Sequence, residues 1–313
     1  MPYLHRIIAT ASLLAAIAAP ASAKIEREVE KTFQVQPGVL LKVSTAGGNI
    51  SVSTSHDNVV KIVAKEHIRA SSEAEADDVL SKLDLKMEQS GGEVEASARY
   101  DTGFGLHFGN WPPVQVDFIV SIPQDASVEL KTSGGDVTVD DLDGTANIHT
   151  SGGDIKLAVI GGEIDASTSG GNVILEDGKA KVRLETSGGN ISVKHIGGTA
   201  DLHTSGGDIK IDSAEGSVDA ETSGGDVKAG FTGGLKGDCS LSTSGGQVKA
   251  AVSKGAAFHL DASTSGGEVD ASGLTITIEH GGSGKSSLSG NVNGGGPDLK
   301  LHSSGGDIEI QAR

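Results

Sequence analysis

Apolar side chains come in pairs separated by one residue, and the pairs recur every nine positions: Val137/Val139, Ala146/Ile148, Ile155/Leu157, Ile164/Ala166, Val173/Leu175 and onward to Val227/Ala229. Alternation with period two puts both members of a pair on one face of a short strand. The punctuation between pairs is as regular. Thr-Ser-Gly-Gly stands at Thr132, Thr150, Thr168, Thr186, Thr204 and Thr222 with an unvarying step of 18, and glycines fall midway at Gly144, Gly161-Gly162, Gly197-Gly198, Gly216 and Gly233-Gly234. Each step therefore reads as two strands joined by two tight corners. The glycines are expected to supply the positive φ that β-branched neighbours avoid.

A period this strict implies stacked, near-identical units. Two strands per coil, folded back on each other, bury their apolar faces mutually, and successive coils pair as parallel strands. The predicted fold is all-β: a β-solenoid, or β-helix, of two-strand coils of about 18 residues. Layers about 10 Å apart favour Val, Ile, Leu and Ala over rings, in keeping with 3% aromatics beside 46 Gly. The tetrapeptide returns at Thr243 and Thr264 after steps of 21, and as Ser303-Ser304-Gly305-Gly306 a further 39 on. Aligned on Thr243, Cys239 and Leu241 form an inward pair, which makes the single Cys a small core hydrophobe. Coils stacked in chain order from Thr132 would give a rod on the order of 45 Å.

Before Thr132 the pattern loosens without disappearing, since Gly47 to Val52 repeats letter for letter at Gly188 to Val193. Ser72 followed by Glu75 reads as a capping box that opens a helix over residues 73–83, with Val79, Leu80 and Leu83 as its apolar stripe. Strands are expected over residues 85–100, turning at Gly91-Gly92, and over residues 114–122. The domain reading is a leader over residues 1–23, an N-terminal β-rich capping region over 24–126 and regular solenoid repeats over 127–313. The helix is the natural cover for one open end of the stack. The strand at residues 307–313 is expected to form the other end, where end-to-end self-association is possible.

Residues 1–23 combine Arg6, an apolar run over residues 7–19 and Ala21-Ser22-Ala23, the pattern of a secretory leader cleaved after Ala23. The expected location is outside the cytoplasm, in the periplasm, the extracellular space or at the cell surface, with no membrane span in the mature chain. A single Cys excludes an internal disulfide, and a formal charge of -17 opposes nucleic acid or anionic lipid as a partner.

Three columns could carry chemistry. The residue after the second glycine reads Asp136, Asp154, Asn172, Asn190, Asp208, Asp226 down the stack; its free exchange of Asp for Asn suits turn capping better than Ca²⁺ binding. The tetrapeptide Thr is in phase with the inward residues, so an internal ladder is preferred to a surface for ice or glycan. His149, His203 and His302 share an outward column with Glu185 and Glu221, as cross-coil charge pairing requires. The repeat is broken at residues 102–113, where Phe104, Phe108 and Trp111 lie among glycines; these rings either plug the core's end or form a contact loop. No nucleophile elbow, phosphate loop, metal-ligand set or carboxylate pair is present, so neither enzyme activity nor a cofactor or metal is expected.

Phe33 to Gly38, Gly47 to Val52 and residues 116–123 running into Thr132 to Val137 together resemble the bacterial putative-adhesin β-strand-repeat domains, related to GIN head domains. The resemblance implies an exported β-helical protein of the cell envelope. The expected function is a non-catalytic scaffold or adhesin contacting an envelope polymer or surface protein. A carbohydrate-binding or carbohydrate-active β-helix and an envelope-stress or signalling ectodomain are the alternatives.

Overall fold

The computed structural model describes residues 24–100, 113–278 and 285–313. Two sheets of 13 and 14 strands face each other, and each coil gives one strand to each. Through the regular region every strand is parallel to its neighbours and pairs with residues 18 positions away, as in Ile164 with Val182 and Val182 with Ala200, or Ile155 with Val173 and Val173 with Ile191. The inward pairs named above are all buried. The fold follows from the alternation: one face of each strand is apolar, and only a second apolar face can cover it.

The corner glycines have a different cause from the expected one. No tetrapeptide glycine has positive φ; that conformation occurs at Gly38, Gly91, Gly233, Gly234, Gly255, Gly273, Gly294 and Gly295, within irregular turns. Of the midway glycines, only Gly233 and Gly234 fit the sequence reading. Elsewhere it is the close approach of coils that demands glycine. A Cβ on Gly153 would lie 2.0 Å from the carbonyl oxygen of Gly135, and one on Gly189 2.0 Å from that of Gly171. The first glycine of each pair has more room: a Cβ on Gly188 would meet nothing closer than 3.6 Å.

Two hydrogen-bond ladders line this corner. From Thr132 on, each tetrapeptide Thr hydroxyl donates to the second-glycine carbonyl of a stacked neighbouring coil and accepts from its own second-glycine N–H; Thr204 reaches Gly189 O at 2.9 Å and receives Gly207 N at 3.3 Å, whereas Thr45 donates to Val116 O. The internal Thr ladder is thus the observed one, with Ser303 as a member. Outside it, each Asp or Asn Oδ1 accepts the backbone N–H of its counterpart one coil on. The series runs from Asp117 through Asn49, Asp136, Asp154, Asn172, Asn190, Asp208 and Asp226 to Gln247 at 2.7–2.9 Å. These side chains cap amides of the next coil, and the Gln247 N–H holds the Asp226 carboxyl below its usual range, with Lys228 assisting.

Chain order and stacking order part company at both ends. Strand Val114–Pro123 lies between Ile50–Ser55 and Val59–Arg69, so the coil of residues 93–123 is outside the one that precedes it in sequence. At the far end, Asp298–Ser303 lies between Cys239–Thr243 and Phe258–Thr264, and Ile308–Ala312 between Val248–Val252 and Val269–Asp270. The C-terminal strand is therefore interior, and the expectation that residues 307–313 end the rod is corrected. Coils that share one stacking pattern are interchangeable neighbours, and the short antiparallel strands Ile276–Thr277 and Ser287–Val292 flank the outer coil.

The helix spans Glu73–Leu80, shorter than expected, because Leu83 opens strand Leu83–Ser90 and pairs with Tyr100. The Ser72 side chain caps the Glu75 N–H, while Glu75 reaches back to Ser71. Arg27 ties the helix to edge strand Lys24–Gln34 through Glu73 at 2.9 Å and Asp77 at 2.7 Å. Beside it, Glu66 occupies an inward position and is 5% exposed. Burial pushes its carboxyl above the usual range, and the Arg27 charge opposes that shift. A raised folded pKa favours the protonated folded state, so this stabilisation is full below the ordinary carboxylate value of about 4.3 and is lost as pH rises. Glu66→Gln is expected to raise the melting temperature at about pH 7 and to leave it unchanged near about pH 3.5, read by circular dichroism; equal shifts at both would refute the burial argument.

A cationic trough as candidate functional site

Four strands lie side by side on the outer face of the 14-stranded sheet, in the order Glu93–Tyr100, Leu40–Thr45, Ser127–Thr132 and Ala146–Thr150. Register places Ser97, Ser44, Lys131 and His149 on one level. The next outward level carries Arg99, Ala46, Ser133 and Ser151. Ala46 stands in the serine position of the first tetrapeptide, Thr45-Ala46-Gly47-Gly48. The short side chains of Ser44 and Ala46 therefore leave a hollow of about 500 Å³, with Arg99 and Tyr100 on one bank and Lys131, His149, Ser133 and Ser151 on the other.

No carboxylate belongs to the lining among the described residues. Lys131 is paired with Glu129, which lies one outward position back on its own strand and whose carboxyl that lysine holds below its usual range. His149 Nδ1 is 2.9 Å from Ser167 Oγ. Arg99 is exposed and has no carboxylate within salt-bridge distance among the described residues. Tyr100 is half-buried, packed against the core beneath the bank. A smaller hollow of about 150 Å³ shares Arg99 and Lys131 and adds Lys42, Glu95 and Glu129.

The family model described as Toastrack DUF4097 matches residues 48–311, most of the chain. The chain belongs to the Toastrack DUF4097 family. Among solved structures this Toastrack chain is similar to a putative adhesin from Bacteroides fragilis, at 14% identity over 92% of this chain and 97% of that one, with a TM-score of 0.40. It is also similar to a putative lipid binding protein from Parabacteroides distasonis, at 14% identity over 90% and 96% with a TM-score of 0.45. A putative adhesin from the same organism shows 13% identity over 90% and 97% with a TM-score of 0.38. No curated protein sequence matches the chain.

Other hollows of the Toastrack rod have carboxylates in their lining. A hollow of about 330 Å³ over Gly230 and Ala251 is lined by Lys210, Lys228 and Lys249. Each of these is paired, with Asp212 at 2.8 Å, Asp226 at 3.1 Å and Glu309 at 2.9 Å. Along one corner Asp177, His195, Glu215 and Lys236 form a chain of alternating charge, and the Asp177 hydrogen bond raises the His195 pKa.

Of the residues singled out in sequence, Phe104, Phe108 and Trp111 lie outside the described residues. Of the aromatic residues flanking that stretch in the chain, Phe118 is fully buried, whereas Tyr100 reaches the trough. His203 lies in register between Glu185 and Glu221, with Nδ1 4.0 Å from Glu221 Oε2. His302 instead lies between Ser242 and Ser263, because of the altered stacking order. Cys239 is buried, which pushes its thiol pKa up. No group of three His, Cys, Asp or Glu that could hold a metal ion occurs among the described residues. Likewise, no helix among them is long and apolar enough to cross a membrane.

Sequence reasoning missed Arg99, Lys131 and Asp117. They come from coils adjacent in space but far apart in the chain, so no local spacing joins them. The one legible signal was Ala46 in place of serine.

Proposed function

We propose that this Toastrack protein is an exported, non-catalytic scaffold that holds an envelope polymer or surface protein against the outer face of its solenoid. The trough carries this reading: an arginine without a carboxylate partner among the described residues, a lysine and a histidine line one hollow in a chain of net charge -17. Ligand sites characteristically combine a concave surface with a few convergent polar groups. Stacked coils bonded through two continuous ladders give such groups a rigid support. Residues 1–23, with the composition of a secretory leader, support export. Glycoside hydrolysis generally uses two carboxyl groups flanking the scissile bond, and the trough lining supplies none among the described residues.

The test is to fractionate native cells with and without chelator and to incubate the purified mature chain with isolated envelope material. Recovery in the envelope fraction, and capture of envelope polymer without release of reducing ends, is the expected result. A cytoplasmic location, or turnover of the captured polymer, overturns the proposal.

A further inference from the structure

We infer that the trough's ligand is a carboxylate-bearing saccharide, bound with a carboxylate on Arg99 and its hydroxyls along the serine bank. This rests on the proposal that the trough is a ligand site and adds the chemical class. Four observations favour it. Arg99 is exposed and lacks a carboxylate partner among the described residues, and a planar guanidinium fork matches a carboxylate through two parallel hydrogen bonds. Opposite it, His149 and Lys131, the latter paired with Glu129, add hydrogen-bond donors to the second bank, which leaves Arg99 as the anchor for a carboxylate.

The hydroxyls of Ser44, Ser133 and Ser151 lie on the floor and the far bank. They suit a ligand with many hydroxyls better than a simple anion. Size points the same way. Three inter-strand steps separate the strand of Arg99 from that of His149, about 14 Å at sheet spacing, so one small ion cannot touch both banks. A hollow of about 500 Å³ suits a short run of sugar residues. The row of strands follows the rod axis, so a linear chain would lie along the rod. The net charge of -17 opposes a polyanion in general, so its retention has to come from local cations such as Arg99.

The probe is polygalacturonate, measured by isothermal titration calorimetry against the mature chain at low salt. Comparison ligands are the same polymer with its carboxyl groups reduced to alcohols, dextran, and inorganic phosphate. The wild type is expected to bind polygalacturonate, more weakly as salt increases, and to ignore the reduced polymer and dextran. Arg99→Ala should weaken binding at least about tenfold, or about 1.4 kcal/mol, with Arg99→Lys intermediate. Ala46→Glu, which places a carboxylate on the exposed floor, should abolish binding, whereas Lys210→Ala on the other sheet should change nothing.

Both trough positions are exposed, so melting temperatures should be unaltered and a lost affinity cannot be ascribed to unfolding. Equal binding of the reduced polymer, no binding of polygalacturonate, unchanged affinity in Arg99→Ala, or binding of phosphate alone each overturns the inference. Capture of envelope material by the wild type distinguishes the two failures. If capture persists and survives Ala46→Glu, the scaffold function stands and this site assignment falls; if the wild type captures nothing, both fall.

Discussion

Gly189→Ala is expected to break the rod in its middle, and Gly188→Ala to leave it standing. The two residues are neighbours of one type, neither has positive φ, and composition cannot distinguish them. Their surroundings can. A Cβ on Gly189 would lie 2.0 Å from Gly171 O and 2.5 Å from Gly171 C, backbone atoms that cannot rotate aside. Relief requires the coils to part at that corner. Parting them strains the two bonds that cross this junction, Thr186 Oγ1 to Gly171 O at 2.8 Å and Asn190 N to Asn172 Oδ1 at 2.9 Å. An unsatisfied buried group costs about 1–3 kcal/mol, so the loss should reach at least about 4 kcal/mol, the range of severe substitutions.

Because each coil contacts only its neighbours, the cooperative transition should split into two. Gly188→Ala, with nothing closer than 3.6 Å, should remain within about 1 kcal/mol. Thermal melts followed by circular dichroism decide it. Two indistinguishable melts would mean that coil stacking is not what demands the second glycine.

Leu301→Ala should behave as a mid-rod core substitution despite lying near the chain terminus. Terminal segments ordinarily fray. Leu301, 1% exposed, is instead in register with Leu241 on one side and Ala262 on the other. A fully packed Leu→Ala change costs about 2–5 kcal/mol. The amides of Asp298–Ser303 should exchange with solvent as slowly as those of the central coils. A cost under about 1 kcal/mol together with fast exchange would place the last coil at a frayed end.

Where local chemistry repeats, the sequence was a sufficient guide. The inward pairs, the buried Thr column, the burial of Cys239 and the register of His203 between Glu185 and Glu221 all follow from one alternation and a near-constant period. The helix start at Ser72 was legible because a cap is local. Its end was not, because Leu83 is taken by a strand whose partner is Tyr100. Glu66 was missed because nothing near it in the chain signals that an inward position is to be filled by a carboxylate.

The sequence alone determined the coil: strand length, corner position, inward and outward faces, and parallel stacking, since these depend on contacts within one period. Tertiary structure decided three further things. It assigned the second glycine to backbone contact between coils, because φ and inter-coil distance are not written in composition. It set the stacking order at both ends, because coils that share a register differ little in stacking energy and the irregular segments choose between them. And it brought Arg99, Ala46, Lys131 and His149 to one hollow, because the dimension along the rod joins residues that the chain keeps a full coil or more apart.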